Sequence, residues 1–115
     1  MNINVILDVA TEERPVDTSV FITRHACKRL HERSGMNKRS MNRMARRALL
    51  AGYGLSNTRG RLNAWMNSKI ENYGKGKDMR VYGDKLWVFE EGVLLTVLQI
   101  PPVMTKNLRA YCHAG

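Results

Sequence analysis

The sequence predicts an α+β fold in which two to three N-terminal helices pack on one face of an antiparallel β-meander. Apolar residues recur at the helical spacing up to Tyr73, and strand-like apolar runs begin at Met79. Two tight turns separate these runs, and helices followed by hairpins are typical of α+β domains. Because 115 residues suffice for one core, we expect a single domain at 21–102, an N-terminal arm and linker at 1–20, and a C-terminal tail at 103–115.

Each predicted helix has a start or stop signal. The first covers 24–33, with Thr23 as its N-cap and Ser34-Gly35 at its end. The second covers 38–51, between Asn37 as N-cap and Gly52. The third covers 61–73, where Leu62, Trp65, Met66, Ile70 and Tyr73 share one side.

Three strands are predicted at 80–82, 85–90 and 93–100, separated by turns at Gly83-Asp84 and Glu91-Gly92. Thr96 is the exception in the apolar third strand, so we expect this strand to be central and covered by helices on at least one face. Apolar and polar residues alternate imperfectly over 2–9, and this pattern predicts an edge strand or a loosely docked arm.

The positive charge lies in the first half of the predicted domain. The net charge is +9, made up of −3 in residues 1–13, +10 in 14–61 and +2 in 62–115. Concentrated positive charge favours a polyanion, of which nucleic acid is the commonest. An acidic protein that competes for nucleic-acid sites is an alternative partner.

A candidate catalytic ridge lies on the first helix. His25, Arg29 and Arg33 are four residues apart, so they share a face. A histidine can exchange a proton near neutral pH, and arginines can hold a phosphate. Arg80 and Thr96 are the candidates to join from the sheet. In the alternative interpretation His25 only hydrogen-bonds at the helix start, and the arginines are solvated or pair with Glu32.

The second helix carries a basic face without any acidic residue. A solvated surface is the default for such a face, but like charges four apart destabilise a helix unless an anion binds. We therefore predict a nucleic-acid or partner surface, which Arg24 and Lys28 of the first helix extend. Its residues on the second helix are Arg39, Arg43, Arg46 and Arg47.

No metal or other cofactor is predicted. Cys27, His31, Cys112 and His113 could supply zinc ligands, but their spacing is unlike that of structural zinc sites. Two cysteines are too few for a disulfide framework, and no apolar run is long enough to span a bilayer. Because Asp8 interrupts an alternating segment, we expect residues 2–9 not to act as a signal sequence. We expect a cytoplasmic protein with free thiols.

Several short motifs resemble those of small uncharacterised phage and mobile-element families placed near the RelE/BrnT-type toxins of the barnase–EndoU–colicin–RelE superfold. The resemblance spans about 21–101 and implies a compact sheet flanked by helices and, in the toxin relatives, metal-independent RNA cleavage. The third helix and the acidic N-terminal extension depart from the toxins. The matching residues are Thr23, His25, Ala26, Arg29, Leu30, Glu32, Arg33, Ala48–Gly52, Val81–Gly83 and Leu95–Val97.

Three functions remain open at this point. The first is a toxin-like ribonuclease with His25 as acid/base and Arg29, Arg33 and Arg80 as phosphate clamps. The second is a non-catalytic phage or mobile-element protein whose arginines bind nucleic acid or a nucleic-acid-handling enzyme, such as a host defence nuclease that it inhibits in the manner of an anti-CRISPR protein. The third is a DNA-contacting regulator, because the turn at residues 34–37 is similar to that of a helix-turn-helix.

Overall fold

Three long helices precede a β-meander in the computed structural model, which describes residues 20–113. The α+β class is therefore confirmed, whereas the arm predicted at 2–9 and the linker that follows it lie outside the described residues. The elements are β1 (Phe21–Ile22), α1 (Arg24–Ser34), α2 (Lys38–Ala51), a 3₁₀ turn (Leu55–Asn57), α3 (Gly60–Tyr73), β2 (Asp78–Tyr82), β3 (Lys85–Glu90), β4 (Val93–Gln99), α4 (Pro102–Thr105) and α5 (Leu108–Tyr111).

The predicted caps set the ends of α1 and α2. The Thr23 hydroxyl accepts a hydrogen bond from the Ala26 N–H at 3.2 Å, and the side-chain Oδ1 of Asn37 accepts one from the Ser40 N–H at 2.9 Å. Gly35 ends α1 with a φ of 66°, a left-handed conformation that favours glycine. No helix in the described part of the chain is long and apolar enough to cross a bilayer.

The sheet is mixed, with the order β1-β4-β3-β2. Strands β2, β3 and β4 form the predicted antiparallel meander, but β1 adds to β4 in parallel. Thr23 fixes this addition, because its N–H donates to the Leu94 carbonyl and its hydroxyl donates to the Leu95 carbonyl, each at 3.0 Å. A two-residue strand has no detectable period, so the sequence did not predict it. With β1 on its outer side, β4 is central as expected.

Helices cover both faces of this sheet. Two of them, α1 and α2, bury Leu30 and Met41 against Trp87 and Phe89 on one face. The third, α3, buries Leu62 and Met66 against neighbouring strand residues on the other face. The prediction of two helices on one face is thus met, while the third predicted helix packs opposite them. The reason lies in β3, whose residues 86–89 are all buried and so need cover on both faces.

Residues 103–113, expected as part of a tail, pack onto the α3 side of the sheet. Met104 of α4 and Leu108 of α5 contact the second core cluster. Cys112 forms a β-bridge with Thr58, and the Arg59 N–H donates to the Tyr111 carbonyl at 2.8 Å. This segment packs because Met104, Leu108 and Tyr111 provide apolar side chains that are partly buried against the second core cluster.

Candidate nucleic-acid interface

Helix α2 divides into a buried and a charged side. Met41, Ala45 and Ala48 are buried against the sheet. Two of these are alanines, which allow the helix backbone to lie close to the strands. The opposite side carries four exposed arginines, here called the arginine face: Arg39, Arg43, Arg46 and Arg47.

The arginine face lines an open depression of about 520 Å³. Asn42 is its one uncharged lining residue, and this asparagine also holds the start of the described chain. Its side-chain Nδ2 donates to the Val20 carbonyl at 2.9 Å, and its side-chain Oδ1 accepts from the Val20 N–H at 3.3 Å. The sequence did not single out Asn42, although its place among the arginines was the available signal.

The arginine face carries uncompensated charge among the described residues. Helix α2 contains no acidic residue. The three ion pairs within residues 20–113 all lie on or beside β2 and β3: Lys77–Glu90, Arg80–Asp78 and Lys85–Asp84. None of them reaches the arginine face, so no ion pair within residues 20–113 neutralises its charge.

The predicted ridge on α1 lies away from α2. Cys27 faces α2, because it lines a small cavity together with Lys38, Met41 and Asn42. At 3.6 residues per turn, His25 and Arg29 lie about 160° around the helix from Cys27, and Arg33 about 120°. His25 and Arg33 are exposed and Arg29 is half-buried. The ridge and the arginine face are therefore on different sides of the helical layer.

Arg24 and Lys28 are closer to the arginine face than the ridge is. Both side chains are exposed. Arg24 lies about 60° around α1 from Cys27, and Lys28 about 100°. Arg24 is therefore nearer in angle to the side of α1 that faces α2, and it is the better placed of the two to extend the basic surface.

The two sheet residues predicted to join His25 do not do so. Arg80 lies on β2, the edge strand opposite β1, and its guanidinium binds the Asp78 carboxylate. Thr96 is buried and pairs with Val88, whose side chain belongs to the α3 core cluster. Because paired residues point to the same face of a sheet, Thr96 lies on the opposite face from α1. The sequence could not place either residue, since both positions depend on strand order and register.

The cysteines and histidines considered for zinc do not converge. Cys27 packs on the core cluster of α1 and α2, whereas Cys112 packs on the cluster of α3, across the sheet. Within residues 20–113 no three histidine, cysteine, aspartate or glutamate residues are grouped as a metal site requires. Both cysteines are free thiols, and burial raises the pKa of the Cys112 thiol.

Comparisons with known proteins returned no match: no protein-family model, no curated protein and no solved structure matches this chain. The resemblance to RelE/BrnT-type toxins therefore stays a prediction.

Proposed function

We propose that this protein binds nucleic acid by holding consecutive phosphates on the arginine face of α2. The observation that carries the proposal is the open depression of about 520 Å³, whose lining consists of four arginines and Asn42, without a carboxylate. Arginine is the side chain best suited to phosphate, because its planar fork of N–H donors matches two phosphate oxygens at once.

The length of the arginine face fits a nucleic-acid strand. From Arg39 to Arg47 the helix rises about 12 Å, at about 1.5 Å per residue. A strand with stacked bases advances about 3.4 Å per nucleotide, so this length covers three to four phosphates of such a strand. Four guanidinium groups thus meet a similar number of negative charges.

Binding would also remove a repulsion within α2. Arg39 and Arg43 are four residues apart, as are Arg43 and Arg47, and each like-charged pair destabilises a helix by about 0.2–0.5 kcal/mol. Phosphates between the side chains replace this repulsion with attraction. We therefore expect a polyanion to raise the melting temperature of the protein.

The ribonuclease hypothesis has less support. It requires His25 and a set of phosphate clamps around one substrate, but Arg80 is bound to Asp78 and Thr96 lies across the sheet. Exposed His25, half-buried Arg29 and exposed Arg33 remain on α1. Hydrolysis would have to depend on these residues alone.

The test is a charge reversal on the arginine face. Arg43→Glu/Arg47→Glu should abolish binding of a labelled RNA in fluorescence anisotropy. The matched control is Arg61→Glu/Lys75→Glu, which changes the net charge equally at two exposed positions on and beside α3. This control should keep most of the affinity, because neither residue lines the depression of the arginine face or the cavity beside Tyr53. Equal losses in both variants would contradict the proposal.

The salt dependence gives a second measure. If four phosphates are neutralised on a single strand, log K should fall against log salt with a slope of about −3. Arg43→Ala/Arg47→Ala, which removes two charges without reversing them, should lose roughly half of this slope, and Arg61→Ala/Lys75→Ala should keep it.

Capture of the protein's partners from cells, with half of the sample treated with nuclease, tests the rival partner. A partner retained after nuclease treatment would favour an acidic protein, and a partner lost would favour nucleic acid. We place this function in the cytoplasm, which suits the two free thiols.

A further inference from the structure

An apolar and aromatic segment follows the arginine face at the C-terminal end of α2. Leu50 lies on the same line along the helix as Arg39, Arg43 and Arg46, since these residues fall within about 60° of one another at 3.6 residues per turn. It is 71% exposed. Tyr53 comes three residues later and is 41% exposed.

Tyr53 is held at the edge of the sheet by its backbone. Its N–H donates to the Val81 carbonyl at 2.9 Å, and its carbonyl accepts from the Val81 N–H at 2.8 Å. This bridge occupies the side of β2 that does not pair with β3. The bridge fixes the backbone while the phenol ring stays partly open to solvent.

The Tyr53 side chain lines an open cavity of about 450 Å³. Leu108 and Cys112 supply apolar surface, and Arg109 supplies a positive charge at the same cavity. Since burial raises the pKa of the Cys112 thiol, that group is neutral at pH 7 and does not repel an anionic ligand. The cavity thus combines an aromatic ring, an apolar wall and a cation.

We infer that the nucleic acid is single-stranded, and that one of its bases enters this cavity and stacks on Tyr53 while the preceding phosphates lie on the arginine face. This inference rests on the proposed function. Cationic grooves that lead to aromatic side chains are how single strands are bound without sequence preference, because every base has a π-face. Arg109 is placed to meet the next phosphate.

A duplex does not fit this arrangement. Its bases are stacked and paired inside the helix, so none can reach Tyr53 without being unpaired and flipped out, which opposes binding. The surface also turns from the outer side of α2 around the edge strand β2 to the α3 side of the sheet. A flexible single strand can follow this turn, whereas a stiff duplex cannot.

The experiment compares Tyr53→Ala with Phe21→Ala on three labelled or competing ligands: a short single-stranded RNA of mixed sequence, the duplex of that RNA, and polyphosphate, which has no bases. Phe21 is the matched control, because it is an aromatic residue 77% exposed on β1, at the opposite edge of the sheet. Tyr53→Leu keeps apolar bulk without a ring, and Tyr53→Phe keeps the ring. Melting temperatures verify that each variant is folded.

We expect Tyr53→Ala and Tyr53→Leu to weaken single-stranded RNA binding about tenfold, in line with the loss of one stacked base. Tyr53→Phe and Phe21→Ala should bind like the wild type, polyphosphate affinity should not change in any of them, and the duplex should bind the wild type more weakly than the single strand.

Two results would overturn the inference while leaving the proposed function in place: RNA binding that is insensitive to Tyr53→Ala, or an equal loss of RNA and polyphosphate binding in that variant. A wild-type protein that binds none of the three ligands would overturn both.

Discussion

Asp78 binds Arg80 through both of its carboxylate oxygens, with distances of 2.7 Å to Nε and 3.2 Å to the second guanidinium nitrogen. The two residues are two apart on β2, so their side chains leave the same face of the strand. The sequence analysis predicted that Arg80 would bind a phosphate of the substrate. Because the Asp78 carboxylate already accepts two of its hydrogen bonds, Arg80 is less available to a phosphate than the exposed arginines of α2 are.

Breaking this ion pair should have a small effect on stability. Both side chains are partly exposed, at 29% and 42%, so Asp78→Asn should lower the free energy of unfolding by no more than about 1 kcal/mol. Urea unfolding measures the difference, with Glu91→Gln as a control in an exposed turn. A much larger loss would mean that Asp78 has a structural role beyond this pair.

Gly52 should not tolerate a side chain. A Cβ at this position would lie 2.5 Å from the Ala48 carbonyl oxygen and 2.9 Å from the Arg80 Cβ. We expect Gly52→Ala to destabilise the protein by about 1–3 kcal/mol, as overpacking does. Gly54→Ala is the control, since its nearest neighbour would be 3.9 Å away. Thermal melting compares the two, and equal melting temperatures would contradict the close approach of α2 to β2.

Replacing Leu30 with alanine should lower the free energy of unfolding much more than replacing Leu50 with alanine. Leu30 is 1% exposed in the core between α1 and the sheet, so Leu30→Ala should lower stability by about 2–5 kcal/mol. Leu50 is 71% exposed, and its replacement should change stability by less than about 0.5 kcal/mol. Chemical denaturation of both variants checks the assignment of the core side of each helix.

Acid should weaken one contact of the β2–β3 turn. The hydrogen bond from the Lys85 ammonium lowers the pKa of Asp84 below its ordinary value of 3.8, and Gln99 adds a smaller contribution. A carboxyl group with a lowered pKa stabilises the fold above its ordinary value, and that contribution is lost as the pH falls through the folded value.

Asp84→Asn should therefore be slightly less stable than the wild type at neutral pH. The difference should shrink below pH 3.8 and vanish at lower pH. Unfolding curves collected across this range measure it. A difference that stayed constant with pH would show that the Asp84 charge does not contribute.

His25 provides the decisive test between cleavage and binding. Since His25 and Arg29 lie on the flank of α1 away from α2, we expect His25→Ala to bind RNA as the wild type does. RNA incubated without metal should stay intact with both proteins. Cleavage by the wild type that His25→Ala abolishes would restore the ribonuclease hypothesis.

The sequence predicted the parts of the fold that local patterns encode. The boundaries of α2 and β3 agree with the expected 38–51 and 85–90, because caps, glycine turns and apolar periods are all local signals. The packing of α3 and of residues 103–113 was not predicted, since both depend on which sheet face was still uncovered. The same holds for the candidate site: the sequence predicted the arginine face of α2, but not which residues from other elements lie near it.

The sequence by itself determined that α2 has an arginine face, because four arginines at the helical period opposite Met41, Ala45 and Ala48 leave only one side for the core. Only the tertiary structure decided which other residues belong with that face. It separated His25 from Thr96 across the sheet, paired Arg80 with Asp78, and brought Tyr53 next to Leu108 and Arg109. These relations join residues distant in the chain, and strand order and register, which local patterns do not encode, set them.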